Sequence, residues 1–230
     1  MEYMLKADDM VGVTFWIISV AMIASTAFFF LESNSVAKHW ATSVRVAGLV
    51  TLIAAVHYYY MRHVWISTGE NPNVYRYIDW LLTVPLQMVE FYLILAAVGA
   101  ATAGMFWRLL IGTLVMLIAG FLGESGQINA TVGFIVGIAG WVYILYEVFA
   151  GEAAQASASS NSDAQKTAFS AMKWIVSIGW SIYPIGYFLG YLAGGTDEST
   201  LNLVYNVADI INKIAFGLVI WAAAKSESKA

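Results

Sequence analysis

The stretch Leu201–Trp221, LNLVYNVADIINKIAFGLVIW, decides the fold. It is long enough to cross a bilayer core as a helix, which takes about 20 apolar residues, yet it carries Asp209 and Lys213 near its middle. Ionisable groups at that depth are costly and usually functional. Two interpretations of Lys213 stay open. It forms a buried ion pair with Asp209, four residues earlier on the same helix face, or it binds a carbonyl cofactor as a Schiff base.

The composition places the rest of the chain in the same membrane class. Of 230 residues, 60% are hydrophobic and only 11% are charged, whereas soluble domains carry roughly a quarter charged residues. Cysteine is absent, which excludes disulfides and thiolate metal sites, and we expect no metal. The net charge of −4 is small and no basic run is present, so we expect no nucleic acid partner. The sequence predicts an integral membrane protein that contacts the lipid bilayer.

Long runs with few charges predict seven membrane-spanning helices in a single domain, residues 1–230. A β-barrel is not expected, because these runs do not alternate polar and apolar residues. Pro85 and Pro184 lie inside the third and sixth runs and predict local kinks. The segment Gly151–Lys166, rich in Ala and Ser, predicts a flexible connection. The predicted spans are at about 11–31, 41–61, 74–97, 102–122, 130–150, 169–192 and 201–224.

The placement of lysine and arginine predicts the orientation in the membrane. Only Lys6 and Arg62 lie on the side of the N-terminus. We therefore expect the N-terminus outside and the C-terminus in the cytoplasm. No charged segment with a cleavage site precedes the first span in this sequence, so no signal peptide is recognised there. The basic residues on the opposite side are Lys38, Arg45, Arg108, Lys166, Lys173, Lys225 and Lys229.

The third span carries three charges on one stripe. Asp79 follows Arg76 by three residues, and Glu90 follows Asp79 by eleven, close to three helical turns and roughly 16 Å at ~1.5 Å per residue. Thr83 lies between the two carboxyl groups. A carboxyl at each end of a stripe, with the nitrogen of Lys213 available between them, indicates a proton relay. In the alternative interpretation these charges only hold helices together. Glu124 and Glu147, near span ends, are expected to be solvated or interfacial.

Aromatic residues lie close to the prolines of the third and sixth spans. Such residues at helical spacing more often pack a core than line a cofactor site. Here they would form an apolar slot at the depth of Lys213, which suits a long flat polyene. The set comprises Trp80, Trp180, Tyr183 and Tyr187.

Four runs resemble one known family, the microbial rhodopsins, and within it the blue-absorbing proteorhodopsins. RYIDWLLTVPLQMVEFYLILAA (Arg76–Ala97) resembles the third helix, GWSIYPIGYFLGYL (Gly179–Leu192) the sixth, and Leu201–Trp221 the seventh with its retinal-binding lysine. HYYYMRHVWISTGENPNVYRYIDW (His57–Trp80) resembles the join between the second and third helices. The resemblance extends over essentially the whole chain and keeps the order of its motifs.

The resemblance implies a light-driven outward proton pump, a transporter rather than an enzyme, with all-trans retinal bound to Lys213 as a protonated Schiff base. Asp79 matches the primary counterion and proton acceptor, and Asp209 the second counterion. Glu90 matches the cytoplasmic proton donor. Thr83 matches the residue between acceptor and donor. The resemblance also implies a location in a bacterial inner membrane and a homo-oligomer of five or six chains.

Further positions match the family's supporting residues. Arg76 matches the arginine on the release side, and His57 the histidine that hydrogen-bonds the acceptor carboxylate. Gln87 matches the colour-tuning position, where Gln marks the blue-absorbing group. The remaining matches are to residues of the family's retinal pocket. They are Trp80, Phe134, Trp180, Tyr183 and Pro184.

The pattern Asp79, Thr83, Glu90 is that of outward proton pumps in this family. Chloride pumps lack the acceptor carboxylate, and many sensory rhodopsins lack the donor carboxylate. The alternative function is a light-sensing signalling rhodopsin with a slow photocycle, which does not need Glu90. A third possible function is that of a colourless seven-helix transporter or receptor.

Overall fold

The computed structural model describes residues 4–228. Within this range seven helical segments are long and apolar enough to cross a membrane, and no residue is in a β-strand. The predicted all-α, seven-helix bundle is therefore confirmed. The segments, numbered below as the first to seventh span, are Met10–Glu32, Lys38–Thr68, Asn73–Ala96, Ala103–Glu124, Ala130–Ala158, Asp163–Leu192 and Glu198–Glu227.

The second span is longer than its apolar run. We predicted its end at residue 61, but the helix continues to Thr68 and stops at Gly69, whose φ of 70° is the left-handed conformation that glycine adopts easily. Hydropathy marks the part of a helix that lies in the apolar core, and the polar and aromatic residues after Met61 continue the helix beyond that part.

The connection between the fifth and sixth spans corrects a second prediction. We expected residues 151–166 to be flexible, but Glu152–Ala158 is a helix and the next helix begins at Asp163. Alanine is the strongest helix former, and it is frequent here. The Ser162 side chain caps the second helix by accepting a hydrogen bond from the Gln165 N–H at 3.1 Å.

The sixth and seventh spans are not regular α-helices. The sixth contains Asp163–Trp174 and Ile182–Tyr187 as α-helix, with π-helical turns at Ile175–Gly179 and Phe188–Leu192. The seventh contains Glu198–Asp209 and Ala215–Glu227, separated by a π-helical turn at Ile210–Ile214 that carries Lys213. Single π-helical turns occur frequently at functional sites.

The two span prolines have different surroundings. The turn at Trp180 and Ser181 interrupts the sixth span just before Pro184, which agrees with the predicted local distortion there. Pro85 instead lies in a helix that is continuous from Asn73 to Ala96. Proline interrupts only one of the two helices.

Glycines bring the fourth and fifth spans close together. A Cβ atom at Gly140 would lie 2.7 Å from the Met116 nitrogen and 2.8 Å from the Gly112 oxygen. A Cβ atom at Gly133 would lie 2.8 Å from the Ala119 oxygen. Small residues at a helix interface let two backbones approach closely, and van der Waals packing then holds membrane helices together.

This packing predicts the effect of adding a side chain. Gly140→Val should destabilise the protein by about 1–3 kcal/mol, because the new methyl groups force the two helices apart. The matched control is Ala139→Val, at the neighbouring exposed position, which should leave stability nearly unchanged. Thermal unfolding in detergent, followed by circular dichroism, measures both. Equal midpoints for the two variants would contradict the close packing.

Candidate functional site

The ammonium group of Lys213 lies between two carboxylates. Its side chain is almost fully buried, and its nitrogen donates to Oδ2 of Asp79 and, at 2.6 Å, to Oδ2 of Asp209. The structure thus brings the stripe of the third span against the charged pair of the seventh span. The ion pair with Asp209 that we considered from spacing is present, and Asp79 joins it.

The π-helical turn positions Lys213 by joining the seventh span to the sixth. The Asn212 amide donates to the Gly179 oxygen at 3.0 Å, and a Cβ atom at Gly179 would lie 2.1 Å from Asn212 Oδ1. Gly179 is therefore required for this close approach. From the third span, the Gln87 amide donates to the Asn212 backbone oxygen at 3.4 Å. These contacts hold Asn212, the residue before Lys213, in place.

Asp209 is held by a full set of donors. The Tyr58 hydroxyl donates to Oδ2 and the Tyr183 hydroxyl to Oδ1, each at 2.6 Å, and the Trp80 indole N–H lies 3.2 Å from Oδ2. With Lys213, four groups from four different spans surround this one carboxylate. Tyr58 was not among the predicted site residues, although it follows His57 directly in the sequence.

Asp79 has fewer partners than Asp209. Its Oδ2 accepts from Lys213, but no described group forms a hydrogen bond with its Oδ1. His57 Nδ1 is 3.9 Å from that oxygen and lies instead 2.9 Å from the Ile53 backbone oxygen. The hydrogen bond that the resemblance implied between His57 and Asp79 is therefore absent, although the two side chains are neighbours.

Arg76 is fully buried. It contacts the part of the seventh span that precedes Asp209, whereas Lys213 follows Asp209. It donates to the Tyr58 hydroxyl at 2.9 Å and to the Oδ1 atoms of Asn202 and Asn206 at 2.8 and 2.9 Å. Tyr58 consequently bridges the guanidinium of Arg76 and the carboxylate of Asp209. The two asparagines, which sequence reasoning missed, lie one turn apart on the seventh span.

Glu90 is isolated in the other half of the bundle. It is fully buried, and among residues 4–228 neither carboxyl oxygen has a hydrogen-bond partner. Ser43 and the backbone of Ala47 are the polar groups that face it. Thr83 lies between Asp79 and Glu90 in the sequence and is also buried. Its hydroxyl donates to the Asp79 backbone oxygen at 2.9 Å.

A cavity opens beside Lys213. All eight residues predicted to bind a cofactor line it: Trp80, Gln87, Phe134, Trp180, Tyr183, Pro184, Tyr187 and Lys213. In the wall that the fourth and fifth spans contribute, sequence reasoning predicted Phe134 but missed Met116, Leu117, Gly120, Gly133, Gly137, Ile138 and Trp141. Glycine repeats four residues apart, as at Gly133 and Gly137, are the signal that could have indicated this close helix pair.

Glu147 was wrongly expected to be solvated or interfacial, whereas Glu124, at the end of the fourth span, is partly exposed. Glu147 is 2% exposed, pairs with Arg108 at 3.0 Å and accepts a hydrogen bond from the Ala153 N–H at 3.1 Å. Glu124 is partly buried, accepts from Tyr77 at 2.9 Å, and contributes to the cavity wall. Their partners come from other spans or, for Glu147, also from the short helix Glu152–Ala158, so spacing within one apolar run could not indicate them.

The site is suited to an organic cofactor. Within the described part of the chain, no group of three or more His, Cys, Asp or Glu side chains is arranged to hold a metal ion. Lys213 supplies a primary amine at the wall of an aromatic cavity, and a carbonyl compound can condense with such an amine. Two carboxylates at the nitrogen could then stabilise a positively charged linkage.

Comparison with curated proteins gives two close relatives. The chain is 54% identical over 226 residues to the blue-light absorbing proteorhodopsin of Gamma-proteobacterium Hot 75m4, with 97% of this chain and 90% of that protein covered. It is 52% identical over 225 residues to the green-light absorbing proteorhodopsin of Gamma-proteobacterium EBAC31A08, with the same coverage.

Solved structures agree with these relatives. The crystal structure of blue light-absorbing proteorhodopsin from Med12 superposes with a TM-score of 0.84 at 54% identity, covering 95% of this chain and 100% of that one. Xanthorhodopsin, described as a light-driven ion pump with dual chromophore, gives a TM-score of 0.82 at 26% identity, covering 95% and 94%. Residues 9–227 match the family described as bacteriorhodopsin-like protein. With its lysine, carboxylates and aromatic cavity arranged on seven helices, the chain belongs to the bacteriorhodopsin-like family.

Proposed function

We propose that this protein is a light-driven outward proton pump of the proteorhodopsin type, with all-trans retinal bound at Lys213. The observation that carries the proposal is the position of the Lys213 nitrogen, which lines an aromatic cavity and is bonded to both Asp79 and Asp209. Its relatives above 50% identity are proteorhodopsins that absorb blue or green light. Gln87 in the cavity wall supports the blue-absorbing type.

The residues present fit retinal. Aromatic side chains from the third, fifth, sixth and seventh spans line the cavity beside the Lys213 amine, and their flat faces suit a flat polyene. Bound to Lys213 as a protonated Schiff base, retinal would supply light absorption and a dissociable proton at the Lys213 nitrogen.

Asp79 is the proposed acceptor of that proton. Asp209 already accepts hydrogen bonds from Tyr58, Tyr183 and Lys213, and hydrogen bonds to a carboxylate favour its charged form. Asp79 has an oxygen without a donor among the described groups. It can therefore take the proton at lower cost than Asp209, which keeps its charge as the second counterion.

Glu90 is the proposed donor. A buried carboxyl group without a cation or hydrogen-bond donor is most stable in its neutral form, so it holds a proton in the resting protein. The orientation predicted from lysine and arginine places it in the cytoplasmic half, where it can return a proton to the Lys213 nitrogen after Asp79 has taken one. Asp79 contacts the Lys213 nitrogen, whereas Glu90 lies eleven residues further along the third span, and this separation gives the proposed transfer its direction.

Arg76, Tyr58 and His57 are proposed to adjust the acceptor side. Arg76 and Asp209 share Tyr58 as a hydrogen-bond partner, so a change of charge at the Lys213 site alters the forces on the guanidinium. His57 lies 3.9 Å from Asp79, close enough for a charge on either side chain to act on the other. Thr83 supports the third span between acceptor and donor by bonding the Asp79 backbone.

The surroundings of the pump follow from the family and from the charges of the loops. The seven spans and the bacterial relatives support a multi-pass membrane protein. We propose the bacterial inner membrane, with the N-terminus outside and the C-terminus in the cytoplasm; Lys229, one of the basic residues behind this orientation, lies outside the described residues. A homo-oligomer of five or six chains is proposed from the resemblance.

A signalling function is less well supported. Relatives named sensory rhodopsin are 29–30% identical, against 52–54% for the proteorhodopsins. Glu90 also has no task in a signalling cycle that does not return a proton from the cytoplasm.

The first prediction concerns transport. Unbuffered cells that express the chain with added retinal should acidify their medium under light, and a protonophore should abolish the change. Cells carrying Lys213→Ala are the control and should show no light response. Coloured membranes without acidification would contradict pumping and favour the sensor.

The second prediction concerns the retinal linkage. The Lys213→Ala variant should remain colourless after addition of retinal, because it lacks the side-chain nitrogen that forms the covalent bond. Lys38→Ala, which changes an exposed lysine at the start of the second span, should bind retinal like the unaltered protein. Absorption spectra and mass spectrometry after borohydride reduction measure both. A retinal adduct in the first variant would exclude Lys213.

The third prediction concerns the donor. Glu90→Gln should leave the first proton transfer to Asp79 unchanged but slow the recovery of the resting spectrum by roughly 100-fold or more, the usual effect of losing a general acid. Glu70→Gln, at an exposed position, is the control. Flash spectroscopy gives both rates, and a recovery at the normal rate would remove Glu90 from this role.

A further inference from the structure

A second hydrogen-bonded carboxylate, that of Glu124, lies in the wall of the Lys213 cavity. Its Oε1 accepts from the Tyr77 hydroxyl at 2.9 Å and its Oε2 from the Asn73 amide at 2.7 Å. The Tyr191 hydroxyl lies 3.3 Å from the same Asn73 nitrogen. The Tyr77 hydroxyl and the Asn73 amide donate directly to the carboxylate, so each of its two oxygens is held by a hydrogen bond. The mechanism described above does not use it.

The position of Glu124 along the bundle places it on the acceptor side. It is the last residue of the fourth span, whereas Asn73 is the first residue of the third. Successive spans run in opposite directions, so both residues lie at the same end of the bundle, and Arg76 lies one turn inside that end. In the proposed orientation this end faces outward.

Tyr205 lies between the Arg76 network and the surroundings of Glu124. The Arg76 guanidinium lies 5.5 Å from the centre of the Tyr205 ring, and that ring packs against Trp80 with 5.6 Å between centroids. Trp80 packs in turn on Tyr77, at 5.0 Å. The Tyr205 hydroxyl is buried and has no hydrogen-bond partner among the described residues.

Other acidic side chains at this end are poorly placed to receive a proton from the interior. In the part of the chain that the structure describes, Asp8, Glu70, Asp197 and Glu198 are exposed at the surface. Asp9 is occupied in capping the first span and in accepting from the Trp65 indole at 3.1 Å. Glu124 and Asp209 are the described carboxylates that line the cavity.

We infer that Glu124 is a proton-release residue, the carboxylate through which protons leave the interior toward the outer surface. The carboxylate takes up the proton that leaves Asp79 and becomes a carboxylic acid. It then loses that proton to water at the outer surface and returns to the carboxylate, while Asp79 is again ionised. Tyr77 and Asn73 hold the group in place throughout. This inference rests on the proposed function.

Time-resolved measurements on Glu124→Gln test the inference. The variant should protonate Asp79 at the normal rate, since the Lys213 site is unchanged. A pH-sensitive dye in the external medium should then report proton release several-fold later than in the unaltered protein. In light-minus-dark infrared spectra, the unaltered protein should show a transient carboxylic acid band in addition to that of Asp79, and Glu124→Gln should lack it.

Two further variants make the result specific. Glu124→Asp keeps a titratable group and should restore a transient band and most of the release rate. Glu198→Gln removes an exposed carboxylate at the same end and should behave as the unaltered protein. Normal release timing together with an unchanged set of carboxyl bands in Glu124→Gln would overturn the inference.

The same data separate this inference from the proposed function. If the unaltered protein takes up retinal, acidifies the medium and shows identical kinetics to Glu124→Gln, the pump stands and the release role of Glu124 fails. If the unaltered protein forms no pigment or releases no proton, the proposed function itself fails. Glu124→Gln that forms the normal pigment shows by its spectrum that the cavity is intact.

Discussion

The burial of the Lys213 ammonium group is the constraint on which the rest of the structure depends. An ion removed from water is tolerated only where opposite charge and hydrogen bonds compensate for the lost hydration. Lys213 meets two carboxylates rather than one, which leaves an excess negative charge that Arg76 balances through Tyr58 and Asp209. The compensating groups come from the second, third, sixth and seventh spans. A change in the charge of the Lys213 nitrogen therefore alters the electrostatic interactions of groups on all four helices.

The two carboxylates at this nitrogen differ through their neighbours and not through their chemistry. Asp209 is enclosed by the hydroxyls of Tyr58 and Tyr183 and by the Trp80 indole, whereas Asp79 keeps an oxygen facing His57 at 3.9 Å. Identical side chains can thus serve as a fixed counterion and as a proton acceptor. A third carboxyl, Glu90, lacks partners within residues 4–228 and is suited to hold a proton at rest. Three degrees of hydrogen bonding correspond to three proposed roles in one transport cycle.

The sequence predicted those features that depend on one helix at a time. Apolar runs located the seven spans, and helical periodicity placed Arg76, Asp79 and Glu90 on a buried stripe. Contacts between helices were harder to obtain. Tyr58 and His57 are adjacent in the sequence, yet Tyr58 is the one that bonds Asp209, because the rotation of the second span is set by its packing. The burial of Glu147 was missed for the same reason, since its partners belong to the fourth span and to the short helix Glu152–Ala158. The resemblance supplied pocket residues such as Phe134 that spacing could not identify.

The glycines of the fourth and fifth spans have a consequence for ligand affinity. Gly120, Gly133 and Gly137 form part of the cavity wall, and at these three positions the wall is bare backbone. A glycine has no rotamers to lose when a ligand is seated against it, whereas each flexible side chain immobilised on binding costs about 0.5–1.5 kcal/mol. The loss of backbone freedom that glycine brings occurs during folding instead. The protein thus transfers an entropic cost from the binding step to the folding step, and a rigid polyene meets a surface whose shape is already set.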